Sequence, residues 1–233
     1  MVQKRLEPEE LDQTRRRGRP RQYDPDRALA EAARVFWRNG YAATSLDDLA
    51  AATGMNRPSL YAAFGDKLEL YLKTLERYQR RSRALTLELL ADDPTLRVFL
   101  KRFYEGALDL YRAGGAEARG CYSISTAPAQ ATTDPAVRAF LAASIDGTDA
   151  FLCGLITKAR ERGEVLSSAE PEALAQLATA TLHTIAVRSR VGVSRKQLGA
   201  LAAAAIDLIC GPKASGNATS RRVKRARSGH ATA

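Results

Sequence analysis

The chain has 233 residues, is 45% hydrophobic and carries a formal net charge of +10. That length provides a sizeable core in one or two domains, and the lack of an uninterrupted apolar run of about 18 residues argues against a transmembrane helix or a membrane partner. Cys121, Cys153 and Cys210 are odd in number and far apart, which argues against a disulfide framework and suits a reducing cytoplasm; zinc-type Cys/His spacing does not occur, so neither metal nor cofactor is expected.

The charge is uneven along the chain. Residues 1–83 hold 17 basic and 12 acidic side chains, residues 84–211 hold 13 and 14, and residues 212–233 hold 6 and 0. Basic ends around a neutral middle are the footprint of a nucleic-acid-binding front, a neutral body and a basic tail. The opening MVQKRLEPEE has no apolar centre and does not read as a signal peptide.

Residues 1–23 lack a periodic apolar face and contain Arg15-Arg16-Arg17-Gly18-Arg19-Pro20-Arg21. Arginines such as Arg19 and Arg21, in a Gly/Pro context just before a helix, suit a basic arm that enters a minor groove or meets phosphates. Asp24-Pro25 then opens a helix with the stripe Leu29, Ala32, Ala33 and Phe36, which Asn39-Gly40 ends.

The stretch Thr44 to Leu70 is the most informative. Thr44 and Ser45 each precede an acid by three residues, close to the capping-box pattern, and Leu46, Leu49, Ala50 and Thr53 share a helical face. Gly54 supplies a left-handed stop, Asn56 a cap and Pro58 a first-turn residue for a second short helix that buries Leu60 and Phe64. Asp66 with Glu69 caps a third. Helix, glycine turn, helix is the helix-turn-helix arrangement, whose second helix enters the major groove. Asn56, Arg57, Ser59 and Tyr61 all lie off the Leu60/Phe64 face.

The run from about Pro25 to Leu72 resembles the N-terminal domain of the tetracycline-repressor (TetR/AcrR) family of bacterial regulators. The resemblance is carried by Ala33, Phe36, Gly40, Tyr41, Thr44, Ser45, Leu49, Ala50, Gly54, Ser59, Leu60, Tyr61, Phe64, Lys67 and Leu70, and most specifically by SLYAAFGDK. Met55 stands where the family usually has a branched aliphatic, and Arg57-Pro58 where small or polar residues are frequent. The resemblance implies an all-α protein: a three-helix DNA-binding head followed by a helical body for effector binding and dimerisation. It implies phosphate contacts from Thr44, Tyr61 and Lys67, and places Asn56, Arg57 and Ser59 near base edges. Ser45 joins this DNA-binding set, and Pro58, with no backbone N–H, can only pack, for instance on a thymine methyl.

Beyond the head, Lys67 to about Leu90 reads as one long helix with Leu68, Leu72 and Leu75 inward. Asp92-Asp93-Pro94 breaks it. The next helix carries Leu96, Phe99, Leu100, Phe103, Tyr104, Leu108 and Tyr111 to a stop at Gly114-Gly115. A short helix spans about Cys121 to Gln130, and Asp134-Pro135 opens a long one to about Arg162 with Val137, Phe140, Leu141, Ile145, Leu152, Leu155 and Ile156 inward. Two Ala/Leu-rich helices follow, one after Glu170-Pro171 with Ala173, Leu174, Leu177, Ala178, Thr181 and Ile185 inward, the other capped by Ser194 and running to about Cys210. The resemblance implies that these two pair with a second subunit. Residues 212–233, with Arg221, Arg222, Lys224, Arg225 and Arg227, read as a disordered basic tail.

The resulting organisation is an arm at 1–23, a helix-turn-helix domain at 24–70, an effector-binding and dimerisation domain at 71–211 and a tail at 212–233. Double-stranded DNA, a second copy and an unidentified small-molecule effector are the expected partners. Phe103, Tyr104, Cys121, Tyr122, Phe151 and His183 are candidate pocket residues, and Cys121, after Arg119-Gly120, is also a candidate electrophile or oxidant sensor. His183 and Cys121 have no third group at enzyme-like spacing, so no catalysis is expected. The function expected is a ligand-responsive regulator, a repressor in the first instance; an activator or an effector-independent architectural DNA-binding protein is the alternative.

Overall fold

The computed structural model describes residues 23–112, 119–166, 168 and 170–212. The arm with Arg19 and Arg21, the Gly114-Gly115 stop and the basic tail lie outside them. The described residues form helices α1 (Pro25–Asn39), α2 (Leu46–Thr53), α3 (Arg57–Phe64), α4 (Lys67–Glu88), α5 (Leu96–Arg112), α6 (Tyr122–Ala131), α7 (Pro135–Glu161), α8 (Pro171–Arg190) and α9 (Arg195–Cys210), with no strand among them. The fold is all-α. Caps set most of the boundaries. Asp24 accepts from Asp26 N, Asp134 from Ala136 N and Val137 N, and Ser194 closes a capping box with Gln197. Across the breaker, Leu96 N at the start of α5 donates to the Glu164 carboxylate that follows α7.

The chain divides into two compact units after Thr74. The first is built around Phe36, which is fully buried and lies 5.0 Å from the Tyr71 ring and 6.0 Å from Tyr41. This cluster corrects the expected inward face of α4. Leu70, Tyr71, Thr74 and Leu75 are buried, whereas Leu68 and Leu72 are half-buried. The aromatic partners on α1 and the α1–α2 turn draw in the row containing Tyr71, which also explains why the first unit reaches past Leu70.

In the second unit α5 packs on α8 and α9, and α7 on α6 and α8. The core joins Phe99, Leu100, Tyr104 and Leu108 of α5 to Leu152 and Ile156 of α7, Ala178 and Ile185 of α8, and Leu198, Ala202 and Ile206 of α9. On α8 the expected inward set is corrected. Ala173 and Leu177 are exposed, while Ala175, Ala178, Thr179, Thr181, Ile185 and Ala186 are buried. With so many small apolar residues on every side, the helix's own pattern leaves its rotation open. Leu177, Val187 and Leu208 are exposed on α8 and α9.

By length and composition, α7 is the one helix among the described residues able to cross a membrane, and little of it is covered. The expectation drawn from uninterrupted apolar runs overlooked it because Asp146 and Asp149 interrupt its centre. Two carboxylates at mid-span are costly in a bilayer, and Val137, Leu152, Ile156 and Ala159 of the same helix are buried within the second unit.

Candidate nucleic-acid interface

The turn between α2 and α3 is built from local chemistry. Gly54 takes a left-handed conformation (φ 69°, ψ 18°) and its N–H reaches Ala50 O, a geometry glycine adopts without Cβ strain. Met55 is buried beside it. Asn56 then caps α3, its Oδ1 accepting from Ser59 N at 2.8 Å, and Pro58 occupies the first turn, where its missing N–H costs nothing. Leu60 and Phe64 are buried and anchor α3, and Lys73 Nζ donates to Phe64 O at its end.

The opposite face of α3 is open. Asn56, Arg57, Pro58 and Ala62 are exposed, Ser59 is half-buried and Tyr61 is 48% exposed. Polar side chains thus gather at the N-terminal end of a short helix, the geometry by which such a helix reads base edges.

Other expected contact residues sit differently. Thr44 is buried, with its hydroxyl donating to Gly40 O at 2.6 Å, so that hydroxyl is turned inward. Ser45 spends its hydroxyl on the α2 capping box, donating to Asp48 Oδ2 at 2.7 Å and accepting from Asp48 N. That contact holds the Asp48 carboxyl below its ordinary pKa. Lys67 Nζ stands 4.4 Å above the Tyr41 ring, and burial lowers its pKa. Arg57 is not a free arginine: its Nε donates to Asp47 Oδ1 at 2.7 Å and its Nη2 to Asp47 Oδ2. In the sequence Asp47 is legible only as an acid in a cap pattern, because nothing in a linear pattern links residues ten apart on two helices.

The candidate effector residues separate into different neighbourhoods. Phe103 stacks on Phe99 with centroids 5.7 Å apart, Phe151 meets Phe99 edge-on at 6.0 Å, and Tyr104 joins them through Phe103. The Tyr104 hydroxyl donates to Ala178 O at 3.0 Å, and burial pushes its pKa up. Tyr122, fully buried, packs instead on Tyr78, whose hydroxyl donates to Cys121 Sγ at 3.6 Å. Burial keeps both Tyr78 and Tyr111 protonated, and the Cys121 sulfur beside them acts in the same direction. A groove of about 180 Å³ lies between α5 and α9, and of the six candidates only Tyr104 lines it.

His183 lies one turn from Thr179 on α8 and feels the carboxylate of Asp149 on α7. Thr179 Oγ1 and Asp149 Oδ1 are buried without hydrogen-bond partners among the described residues. Burial lowers the His183 pKa below 6.5, and the Asp149 charge opposes this only in part. A lowered folded value means that the unfolded chain binds more protons, so the stability from neutral His183 is present above 6.5 and is lost as pH falls through the folded pKa. Between about pH 7.5 and about pH 5.5, the wild-type melting midpoint is therefore expected to fall further than that of His183→Gln. Equal shifts in thermal melts at the two pH values would contradict this.

Comparison with known proteins identifies the fold and the family. Residues 28–74 match the family model described as bacterial regulatory proteins, tetR family, and residues 98–205 match that of the tetracyclin repressor-like C-terminal domain. YezE of Bacillus subtilis (strain 168), an uncharacterized HTH-type transcriptional regulator, is 32% identical over 149 residues, 64% of this chain and 76% of YezE. The chain belongs to the TetR family. The HTH-type transcriptional repressor ComR of Escherichia coli (strain K12) is 28% identical to this TetR-family chain over 193 residues, 82% of it and 91% of ComR. Among solved structures, a cysteine mutant of the TetR-family regulator CifR, complexed with 26-base-pair operator DNA, superimposes with a TM-score of 0.71 at 28% identity, covering 81% of this chain and 98% of CifR. The chain is thus a TetR-family transcriptional regulator with a DNA-binding helix-turn-helix formed by α2 and α3.

Proposed function

We propose that the protein is a repressor that grips a near-palindromic operator as a homodimer and is released by a small-molecule or electrophile signal. The observation that carries the DNA-reading part is the split of α3, with Leu60 and Phe64 locked inward while Asn56, Arg57, Ser59 and Tyr61 stand outward. The repressor sign is supported by the likeness to ComR. Dimerisation is supported by the apolar side chains that one chain leaves exposed on α8 and α9, Leu177, Val187 and Leu208. Two heads on a two-fold axis suit two half-sites one helical turn apart.

For the effector, the aromatic group of Phe103, Tyr104 and Phe151 offers an apolar wall, and Thr179 Oγ1 and Asp149 Oδ1, buried without hydrogen-bond partners among the described residues, offer polar anchors near His183. Cys121, held by Tyr78, is the candidate electrophile target. An effector acts here by favouring a head spacing that no longer fits successive major grooves, to the extent of its differential affinity for the two states.

Tyr61→Ala is the direct test of the DNA-binding face. The side chain is half exposed and anchors nothing in the core, so the melting curve should be unchanged while operator affinity falls on the order of ten-fold, as for loss of a backbone-positioning contact. Unchanged affinity would contradict the assignment. Light scattering at micromolar concentration checks the second copy, and a monomer would contradict the dimer.

A further inference from the structure

We propose that Asp47 is a specificity-determining residue that holds Arg57 in the orientation needed to read one base pair. The inference rests on the DNA-reading function proposed above. Asp47 lies in the first turn of α2 and Arg57 begins α3, so the pair ties the backbone-crossing helix to the first residue of the reading helix.

The contact is side-on. Nε and one Nη2 hydrogen are taken by the two carboxylate oxygens. A guanidinium has five N–H groups in a fixed fork, so three remain: both on Nη1 and one on Nη2. The two that point away from the arginine stem form the end-on edge, whose spacing matches O6 and N7 of guanine. Asp47 therefore leaves free the edge that base reading requires and restricts the rotation that would otherwise turn it away.

Both side chains are largely exposed, 55% for Arg57 and 71% for Asp47. An ion pair in that setting contributes little to stability, so a fold-stabilising role does not account for it. The anchor is itself well placed, since a carboxylate in the first turn of a helix is favoured by the helix dipole. The partnership also lowers the Asp47 pKa, chiefly through its hydrogen bond from Arg57. An unpaired Asp47 near DNA would repel phosphates. Paired, its charge is offset, and Arg57 is left to recognise a base rather than to drift to the nearest phosphate.

The test is selection of bound duplexes from a random-sequence pool by the full chain, as wild type, Arg57→Ala, Asp47→Ala and the double variant, each first checked by thermal melting. The wild-type consensus should hold a guanine at one position of each half-site. That preference should drop about ten-fold in Arg57→Ala and by a similar factor in Asp47→Ala although Arg57 is intact, with no further loss in the double variant and the rest of the consensus unchanged. A wild-type consensus retained in Asp47→Ala, or an Asp47→Ala chain that merely binds every duplex more tightly, would overturn the positioning role and leave the regulator reading standing. A wild-type pool with no consensus would overturn both.

Discussion

Phe36→Ala is expected to unfold the DNA-binding unit and abolish operator binding. Phe36 has no exposed surface and is the shared neighbour of Tyr41 and Tyr71. Truncating such a ring costs about 3–5 kcal/mol, the lost transfer energy plus the cavity left behind. A unit of about 50 residues has only a few kcal/mol in total, so one substitution consumes most of it. Circular dichroism should show loss of the helical signal of the first unit, with a separate thermal transition surviving from the second, which has its own core around Phe99, Leu152 and Ile206. A variant with wild-type melting and wild-type operator affinity would contradict this.

Gly120→Ala should destabilise the second unit almost as strongly. Gly120 has φ +66°, and a Cβ there would lie 2.5 Å from the backbone oxygen of Ala186 on α8 and 3.0 Å from Ser125 Oγ. The left-handed conformation alone costs an L-residue about 1–2 kcal/mol, and forcing a methyl against a helix backbone adds about 1–3 kcal/mol. A midpoint lowered by about 10 °C is expected for a unit of this size. Gly192 provides the control, with φ +86° and nothing near its would-be Cβ. Gly192→Ala carries only the conformational cost, roughly two fifths of the fall. Equal effects at the two sites would show that the α8 contact does not matter. The segment is tied down from several sides, since Arg119 O accepts from both Ser125 Oγ and Arg190 Nη1 and Arg119 N donates to Tyr111 O, so it cannot move aside cheaply.

The sequence made the helix ends legible because their signals are local. Asp24-Pro25, Ser45, Gly54, Asn56, Asp134-Pro135 and Ser194 are each read from a few adjacent residues, and the structure uses each as a cap or stop. The outward face of α3 was legible for the same reason, since Leu60 and Phe64 fix the helix's rotation. Helix rotation was not legible where more than one face is apolar. On α4 the choice of Tyr71 over Leu72 is made by Phe36 and Tyr41, and on α8 Leu177 lies outward while Ala178 and Thr181 beside it are buried. The Asp47–Arg57 pair was hidden because it joins two helices across a turn. The split of the six pocket candidates was hidden because α7 must pack on α5 before Phe151 meets Phe99, and α6 must meet α4 before Tyr122 reaches Tyr78.

The measurement that bears most directly on the account is binding of the full chain to the DNA flanking its own gene, by fluorescence anisotropy against a scrambled duplex of equal length at several salt concentrations. Sequence-specific regulators bind their sites about 10³-fold or more tighter than other DNA. An operator-reading dimer should show that preference at every salt concentration, together with a footprint of two half-sites about one helical turn apart. Equal affinity for the two duplexes, falling steeply with salt for both, would be the signature of phosphate attraction alone and would contradict an operator-reading dimer at that DNA.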